Sequence, residues 1–368
     1  MKFLLESDGT LKYTKSLDYR DGTYSIVGHN VLVYDYIIND NKSICLIYLQ
    51  KDGSLIYKLI HKEKTNESKI SNFDIHSNVY NKISVLNIND KLNLIYSFYN
   101  IINPNVHTIH HIILNNNTEN KYNVIKYVSK NIANSFVVDT DSNSNIHLFY
   151  NTLSQNFSYI YYTYFNPYKN QWLTNPMRLS SSDSHCESPA IYVDHMDNIH
   201  GLWWEKIQND YKLKYKRMST SGTEMYKWKE IDIPSIIQEK TFAKFYEINN
   251  NIYIDCLNYV LISDDFGLSW IKDENGVDMN ERVGDDHITT LDDYNPNEED
   301  YESHTNNDTL IDESDQIKYE SILLNQEEIL SNLIEIRDKQ IKLESKLLDI
   351  DKALKEQSKG ILRKFFLY

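Results

Sequence analysis

Along residues 1–274 the apolar positions come in short runs alternating with polar ones, the period of two that a half-buried strand requires. The runs also repeat at longer range. Asn145-Ile146-His147-Leu148-Phe149-Tyr150 recurs as Asn198-Ile199-His200-Gly201-Leu202-Trp203. Each follows a short apolar strand and an acidic turn, Val137-Val138-Asp139-Thr140-Asp141 in one copy and Ile191-Tyr192-Val193-Asp194 in the other. Weaker copies are Lys91-Leu92-Asn93-Leu94-Ile95-Tyr96, Asn251-Ile252-Tyr253-Ile254-Asp255 and Ser43-Ile44-Cys45-Leu46-Ile47-Tyr48. The first aliphatic residue of each copy falls at 44, 92, 146, 199 and 252, spacings of 48, 54, 53 and 53 residues. A near-constant period of this length, filled with strands, predicts the four-stranded blades of a β-propeller.

Each unit divides into an inner strand such as Phe136–Val138, the marker strand, a third strand such as Tyr159–Phe165, and a last strand opening at Trp172, Trp228 or Trp270. Five full units fit between Asn30 and Glu274. A hairpin, Lys2–Leu5 with Leu11–Lys15, precedes them and reads as the two outer strands of another blade. The expected fold is therefore an all-β propeller of five blades, or six if this piece completes one.

From Gln316 the period changes. Ile322, Ile329, Ile336, Leu343 and Ile350 recur every seven residues, with Gln326, Leu333, Gln340, Leu347 and Leu354 four later. This a/d seam predicts a coiled coil over residues 316–358, and mostly Ile at a with Leu at d favours a parallel two-stranded one. Self-association is expected to run through it, in preference to a helix folded back on its own propeller. The basic, apolar tail, 359–368, reads as a frayed coil end rather than a membrane contact.

Charge adds a linker to this picture. Between Asn275 and Asp315 stand 14 acidic residues and one base, Arg282; of the chain's −15, −13 falls there and −2 on the rest. The segment 275–315 reads as a solvated spacer, and a near-neutral propeller lacks the clustered Lys and Arg that nucleic acid requires. Cys45, Cys186 and Cys256 make neither a disulfide framework nor a zinc motif. The N-terminus turns acidic at Glu6 and Asp8 without a signal-peptide core, and no run of 18 apolar residues occurs, so a cytoplasmic location is expected. Asn, Ile, Lys and Tyr are abundant, part of which reflects A/T-rich codons.

Ser263-Asp264-Asp265-Phe266-Gly267-Leu268-Ser269-Trp270 matches the Asp box, S-x-D-x-G-x-[S/T]-W, and lies between the third and fourth strands of a unit. Asp265 can accept backbone N–H bonds, Gly267 can take a positive φ, and Trp270 can pack between blades. On this motif, and on the D-x-x-x-N-I-H pattern of Asp194–His200, the N-terminal domain, residues 1–274, resembles the sialidase-like (BNR, Asp-box repeat) propellers. The resemblance implies the fold. It implies catalysis only if three arginines, an Asp and a Tyr–Glu pair converge, as in sialidases. The candidates are Arg20, Arg178, Arg217 and Glu205, but no spacing enforces that choice and the family's F/Y-R-I-P signature is missing.

Asp139–Asn145 offers oxygens at alternate positions, as calcium loops do, but lacks the central Gly and the downstream Glu. His147 and His200 are repeat-equivalent, with Asn93 and Tyr253 in the corresponding positions, so zinc ligation lacks convergent partners. No metal or cofactor is expected. Aromatic residues are the most suggestive feature: Tyr159, Tyr161, Tyr162 and Tyr164 crowd one strand, and Trp203-Trp204 stand beside Glu205. Stacking surfaces of this kind suit a glycan or a protein, and Trp203, Trp204, Tyr159, Tyr161, His147 and His200 are the expected ligand-binding residues. The sequence thus points to a non-catalytic binding propeller for a glycan or protein surface, multimerised by its coil. An exo-glycosidase of sialidase type and a structural protein of a cell, spore or particle surface layer are the alternatives.

Overall fold

The computed structural model describes residues 2–273 apart from 15–23, 40, 62–63, 90, 116–117, 130–135, 155, 182–183, 224, 235–239, 242 and 257–258. The acidic segment, the heptad segment and the tail lie outside the described residues, as does Arg20. The described residues contain no helix and form six antiparallel sheets in chain order.

The first sheet is β1 (Lys2–Leu5), β2 (Leu11–Thr14) and β3 (Ser25–Gly28). The second is β4 (Val31–Ile38), β5 (Ile44–Gln50), β6 (Ser54–His61) and β7 (Lys64–Asn72). The third is β8 (Asn78–Ile88), β9 (Lys91–Asn100), β10 (Asn103–Asn115) and β11 (Thr118–Val128). The fourth runs β12 (Phe136–Thr140), β13 (Ile146–Ser154), β14 (Phe157–Asn166), β15 (Gln171–Trp172), with β16 (Met177–Arg178) also paired to β14. The fifth is β17 (Cys186–Val193), β18 (Ile199–Ile207), β19 (Asp210–Met218) and β20 (Trp228–Glu230). The sixth is β21 (Lys244–Ile248), β22 (Asn251–Asp255), β23 (Val260–Ser263) and β24 (Ile271–Asp273). Six successive meanders of this kind resemble a six-bladed propeller.

The marker residues Ile44, Leu92, Ile146, Ile199 and Ile252 all lie at the start of the second strand of a sheet. In β5, β9, β13 and β18 that strand carries the repeat because neighbouring sheets cover both its faces, so it reads as an apolar run; in β18 all seven residues from Ile199 to Glu205 are buried. The N-terminal hairpin differs from its expected form. It gains a third strand, β3, and packs Leu11 and Val27 against Leu46 and Tyr48 of the second sheet.

Four further cores fill the spaces between successive sheets. They are built around Leu49, Phe73 and Tyr96; around Ile95, Phe136 and Trp172; around Phe149, Tyr162 and Trp203; and around Trp204, Tyr215 and Trp270. Each fully buried side chain of this size contributes roughly 1.5–3 kcal/mol. Contact between the fourth and fifth sheets is tight at Gly201, where a Cβ would stand 2.5 Å from the Phe149 ring. Gly201→Ala is therefore expected to cost about 1–3 kcal/mol by overpacking, seen as a lower urea midpoint with an unchanged slope.

With only 10 glycines in the chain, asparagine takes over left-handed turns. Asn30, Asn89, Asn156, Asn170, Asn249 and Asn250 all have positive φ, which Asn tolerates better than other residues with a Cβ. The abundance of Asn therefore has a structural use as well as a codon bias.

First strands of neighbouring sheets are tied by carboxylates. Asp35 Oδ2 accepts from Val85 N at 2.7 Å, and Asp139 Oδ2 accepts from Val193 N at 2.7 Å. Protein crowds Asp139 on all sides although part of its surface stays accessible, and this burial pushes its carboxyl up to about 6. The backbone bonds from Val193 and Thr140 offset only part of that. A raised acid pKa adds stability that is full below about pH 4 and lost as pH rises through about 6. The stability difference between wild type and Asp139→Asn is expected to shift by on the order of 2–3 kcal/mol between pH 4 and 7, against the wild type at the higher pH. Chemical denaturation at the two pH values checks this.

Candidate functional site

The ligand face expected at Trp203, Trp204 and Tyr159 is taken up by packing. Trp203 and Trp204 are 2 and 0 % exposed. As neighbours on β18 they point to opposite faces, Trp203 into the core against the fourth sheet and Trp204 into the core against the sixth. Tyr159 is buried beneath Arg178, whose guanidinium lies 3.6 Å from the ring centroid. Tyr161 is half-buried and stacked on Tyr150 at 5.6 Å. Both β14 and β18 are interior strands, so neither presents a bare aromatic face.

His147 and His200 belong to a turn device that appears twice. In the fifth sheet Asp194 accepts from Met196 N at 2.9 Å, from Asn198 N and Nδ2 at 2.8 Å, and from His200 Nε2 at 3.1 Å. Tyr215 completes it, its hydroxyl 2.7 Å from His200 Nδ1. Burial lowers the His200 pKa, so the ring is neutral, donating from Nε2 and accepting at Nδ1. In the fourth sheet Asp141, Asn145, His147 and Tyr162 repeat the arrangement. The carboxylates of Asp139 and Asp141 are thereby turned onto backbone and side-chain donors. Among the described residues no cluster of acidic, His and Cys side chains could hold a metal ion.

The arginines serve local backbone. Arg178 Nε donates to Ser180 O at 2.8 Å in the fourth sheet, and Arg217 Nε donates to Phe266 O at 2.6 Å from the fifth. Glu205 accepts from Ser184 Oγ at 2.8 Å and lies 3.6 Å from Lys214. In the Asp-box turn, Asp265 accepts from Ser263 Oγ, Leu268 N, Ser269 N and Ser269 Oγ at 2.7–3.0 Å. Gly267 has φ +80 and Trp270 packs edge-on to Tyr215. These residues hold the fifth and sixth sheets together, and none brings reactive groups to a common point.

An open groove lies elsewhere, on the third sheet. Its volume is about 430 Å³, and Asn78, Phe98, Asn100, Asn103, Val106, Thr108, His110, Asn123 and Lys126 line it. Strand lengths explain why it exists: β8 to β11 run for 11, 10, 13 and 11 residues, against 8, 7, 8 and 9 for β4 to β7. The face of Tyr80, Tyr96 and Phe98 packs with the second sheet around Phe73, and its longer rows extend past that contact. His110 Nδ1 is 3.2 Å from the Tyr96 hydroxyl. Burial, then the charges of Lys121 and Lys126, bring the His110 pKa down to about 4, so its ring is neutral at pH 7. None of the groove residues was among those expected from the sequence. The signals that could have found them are the 54-residue spacing between the markers at 92 and 146, and the long polar strands of that unit.

Six meandering sheets define an all-β scaffold that resembles a six-bladed propeller. No protein-family profile matches the sequence, and no curated protein does. Among solved structures the chain is similar to an α-L-arabinanase of Penicillium chrysogenum, at 10 % identity over 66 % of this chain and 80 % of that one, with a TM-score of 0.46. It is also similar to the six-bladed β-propeller lectin of Aleuria aurantia, at 10 % identity over 74 % of this chain and 88 % of that one, with a TM-score of 0.42. A third is AofleA from Arthrobotrys oligospora, at 11 % identity over 74 % and 81 %, with a TM-score of 0.41.

Proposed function

We propose that this chain is a non-catalytic binding propeller that takes a glycan in the groove of the third sheet and is multimerised by its C-terminal coil. The observation that supports this reading is the groove lining: four amides, a hydroxyl, a neutral imidazole and an ammonium group around Phe98 and Val106, with no carboxylate. Amides and hydroxyls can both donate to and accept from sugar hydroxyls, and an aromatic ring takes the apolar face of a pyranose. Glycoside hydrolysis by the usual route needs two carboxylates about 5–10 Å apart, which this lining does not offer. One weak site per chain gains affinity when several chains are joined.

Titration calorimetry of the full chain against a glycan panel, with reducing-sugar release followed in parallel, tests the reading. Saturable binding without release is expected, and Asn103→Ala with Asn123→Ala should weaken it by roughly tenfold, the size of one or two hydrogen bonds. Release of sugar by the wild type, undiminished by these substitutions, would instead favour a glycosidase. Light scattering is expected to show a defined oligomer for the full chain and monomer for Ile336→Asp with Leu343→Asp, which place charge on the a/d seam.

A further inference from the structure

The groove of the third sheet carries a positive charge with no acid in its lining, the nearby carboxylates being those felt by Tyr80 and Tyr96, Asp74 and Glu119. Lys126 makes no ion pair among the described residues, and its eight companions in the lining include no acid. The carboxylate of Asp74, near the mouth at Asn78, is turned away onto the backbone N–H groups of His76 and Ser77 at 3.1 Å. Lys121 adds a second positive charge within reach of His110. Some other lysines are paired, Lys58 with Glu67, Lys214 and Lys216 with Glu230, Lys240 with Glu187. Nearby, the amide of Asn103 is exposed and makes no side-chain hydrogen bond among the described residues, while Asn78 and Asn100 hold each other and the local backbone. Asn103, Thr108 and Asn123, the last also hydrogen-bonded to His110, thus surround an ammonium group and an apolar strip.

We propose that the groove binds an acidic sugar, with its oxyanion on Lys126, hydroxyls on Asn103, Thr108 and Asn123, and an apolar ring face against Phe98 and Val106. This rests on the glycan-binding reading above and adds the charge of the ligand. A uronic carboxylate and a sulfate ester present the same chemistry to an ammonium group: a compact, singly charged oxyanion with several acceptor positions. Lysine addresses such a group as a point charge without the planar geometry a guanidinium imposes, so the site should accept both.

Three hexasaccharides titrated into the full chain separate the outcomes: one of alternating uronic acid and N-acetylglucosamine, its carboxyl-reduced and sulfated counterpart, and its carboxyl-reduced, neutral counterpart. One or both acidic sugars are expected to bind roughly tenfold more tightly than the neutral one, the size of a charge-assisted hydrogen bond. Their affinity should fall with added salt while that of the neutral sugar does not. Lys126→Gln should remove the difference and Lys126→Arg should keep it; the side chain is exposed, so neither substitution tests folding. Which acidic sugar binds more tightly identifies the oxyanion. Equal affinity for all three would overturn the acidic-sugar inference and leave the glycan reading standing. No saturable binding to any of them would overturn both.

Discussion

Gly267→Ala is expected to destabilise the propeller by roughly 3–4 kcal/mol, combining left-handed backbone strain with overpacking. Gly267 has φ +80, and a Cβ there would stand 2.1 Å from the Tyr215 hydroxyl and 2.8 Å from His200 Cε1. Neither neighbour can yield. Tyr215 and His200 are buried, and they are fixed to each other and, through His200, to Asp194. The methyl group must therefore push the Asp-box turn of the sixth sheet off the fifth, breaking the Arg217 bond to Phe266 O as well. A domain of ordinary stability would lose a large share of its margin. Urea unfolding of the full chain, followed by tryptophan fluorescence, measures it. Leu268→Ala, in the same turn but 58 % exposed, should change stability by less than about 0.5 kcal/mol. A Gly267→Ala cost below about 1 kcal/mol would mean that this contact is looser than described.

Asp194→Ala is expected to cost roughly 3–5 kcal/mol, because it leaves buried donors without an acceptor. Four bonds end on this one carboxylate, and both it and the His200 ring are fully buried. Burial alone would raise its pKa, but the hydrogen bonds from His200 and Asn198 outweigh burial and hold it below the ordinary value. Its contribution is therefore present above the unfolded carboxyl pKa and lost as pH falls through the folded one, the reverse of Asp139. Adding His200→Phe to Asp194→Ala removes one orphaned donor, so the double variant should be less destabilised than the two single costs predict, by about 1–2 kcal/mol. Strict additivity would show that the carboxylate and the ring act independently.

The blades were legible in the sequence because the second strands of the four middle sheets, β5, β9, β13 and β18, are covered on both sides. Leu148 and Leu202 must be apolar whatever ligand the protein takes, and such positions recur at the blade period. The N-terminal sheet was only half legible. β3 is four residues long with its first two exposed, so it carries too little pattern to distinguish it from a loop. The expected ligand residues Trp203 and Trp204 lie in packing for a related reason. Alternation shows that Trp203 and Trp204 face opposite sides of a strand, but it does not say whether a neighbouring sheet covers both sides, and here it does. The groove escaped notice because Asn78, Asn100, Asn103 and Asn123 stand in a chain rich in Asn, where amides that line a groove look the same as those that serve turns such as Asn89 and Asn249. Uneven strand length, which exposes the groove, only has meaning once the sheets are set side by side.

The meander order of every sheet also bears on how the molecule is made. Apart from the β14–β16 pair, each sheet closes its own backbone ladder with strands adjacent in sequence, so contact order is low for an all-β protein and loop closure costs little entropy. A blade emerging from the ribosome can pair its strands before the next has been synthesised. Its uncovered apolar face then waits only for the following fifty or so residues, rather than for the end of the chain. Assembly in the order of translation, from β1 towards β24, keeps the span of exposed core at any moment to about one sheet.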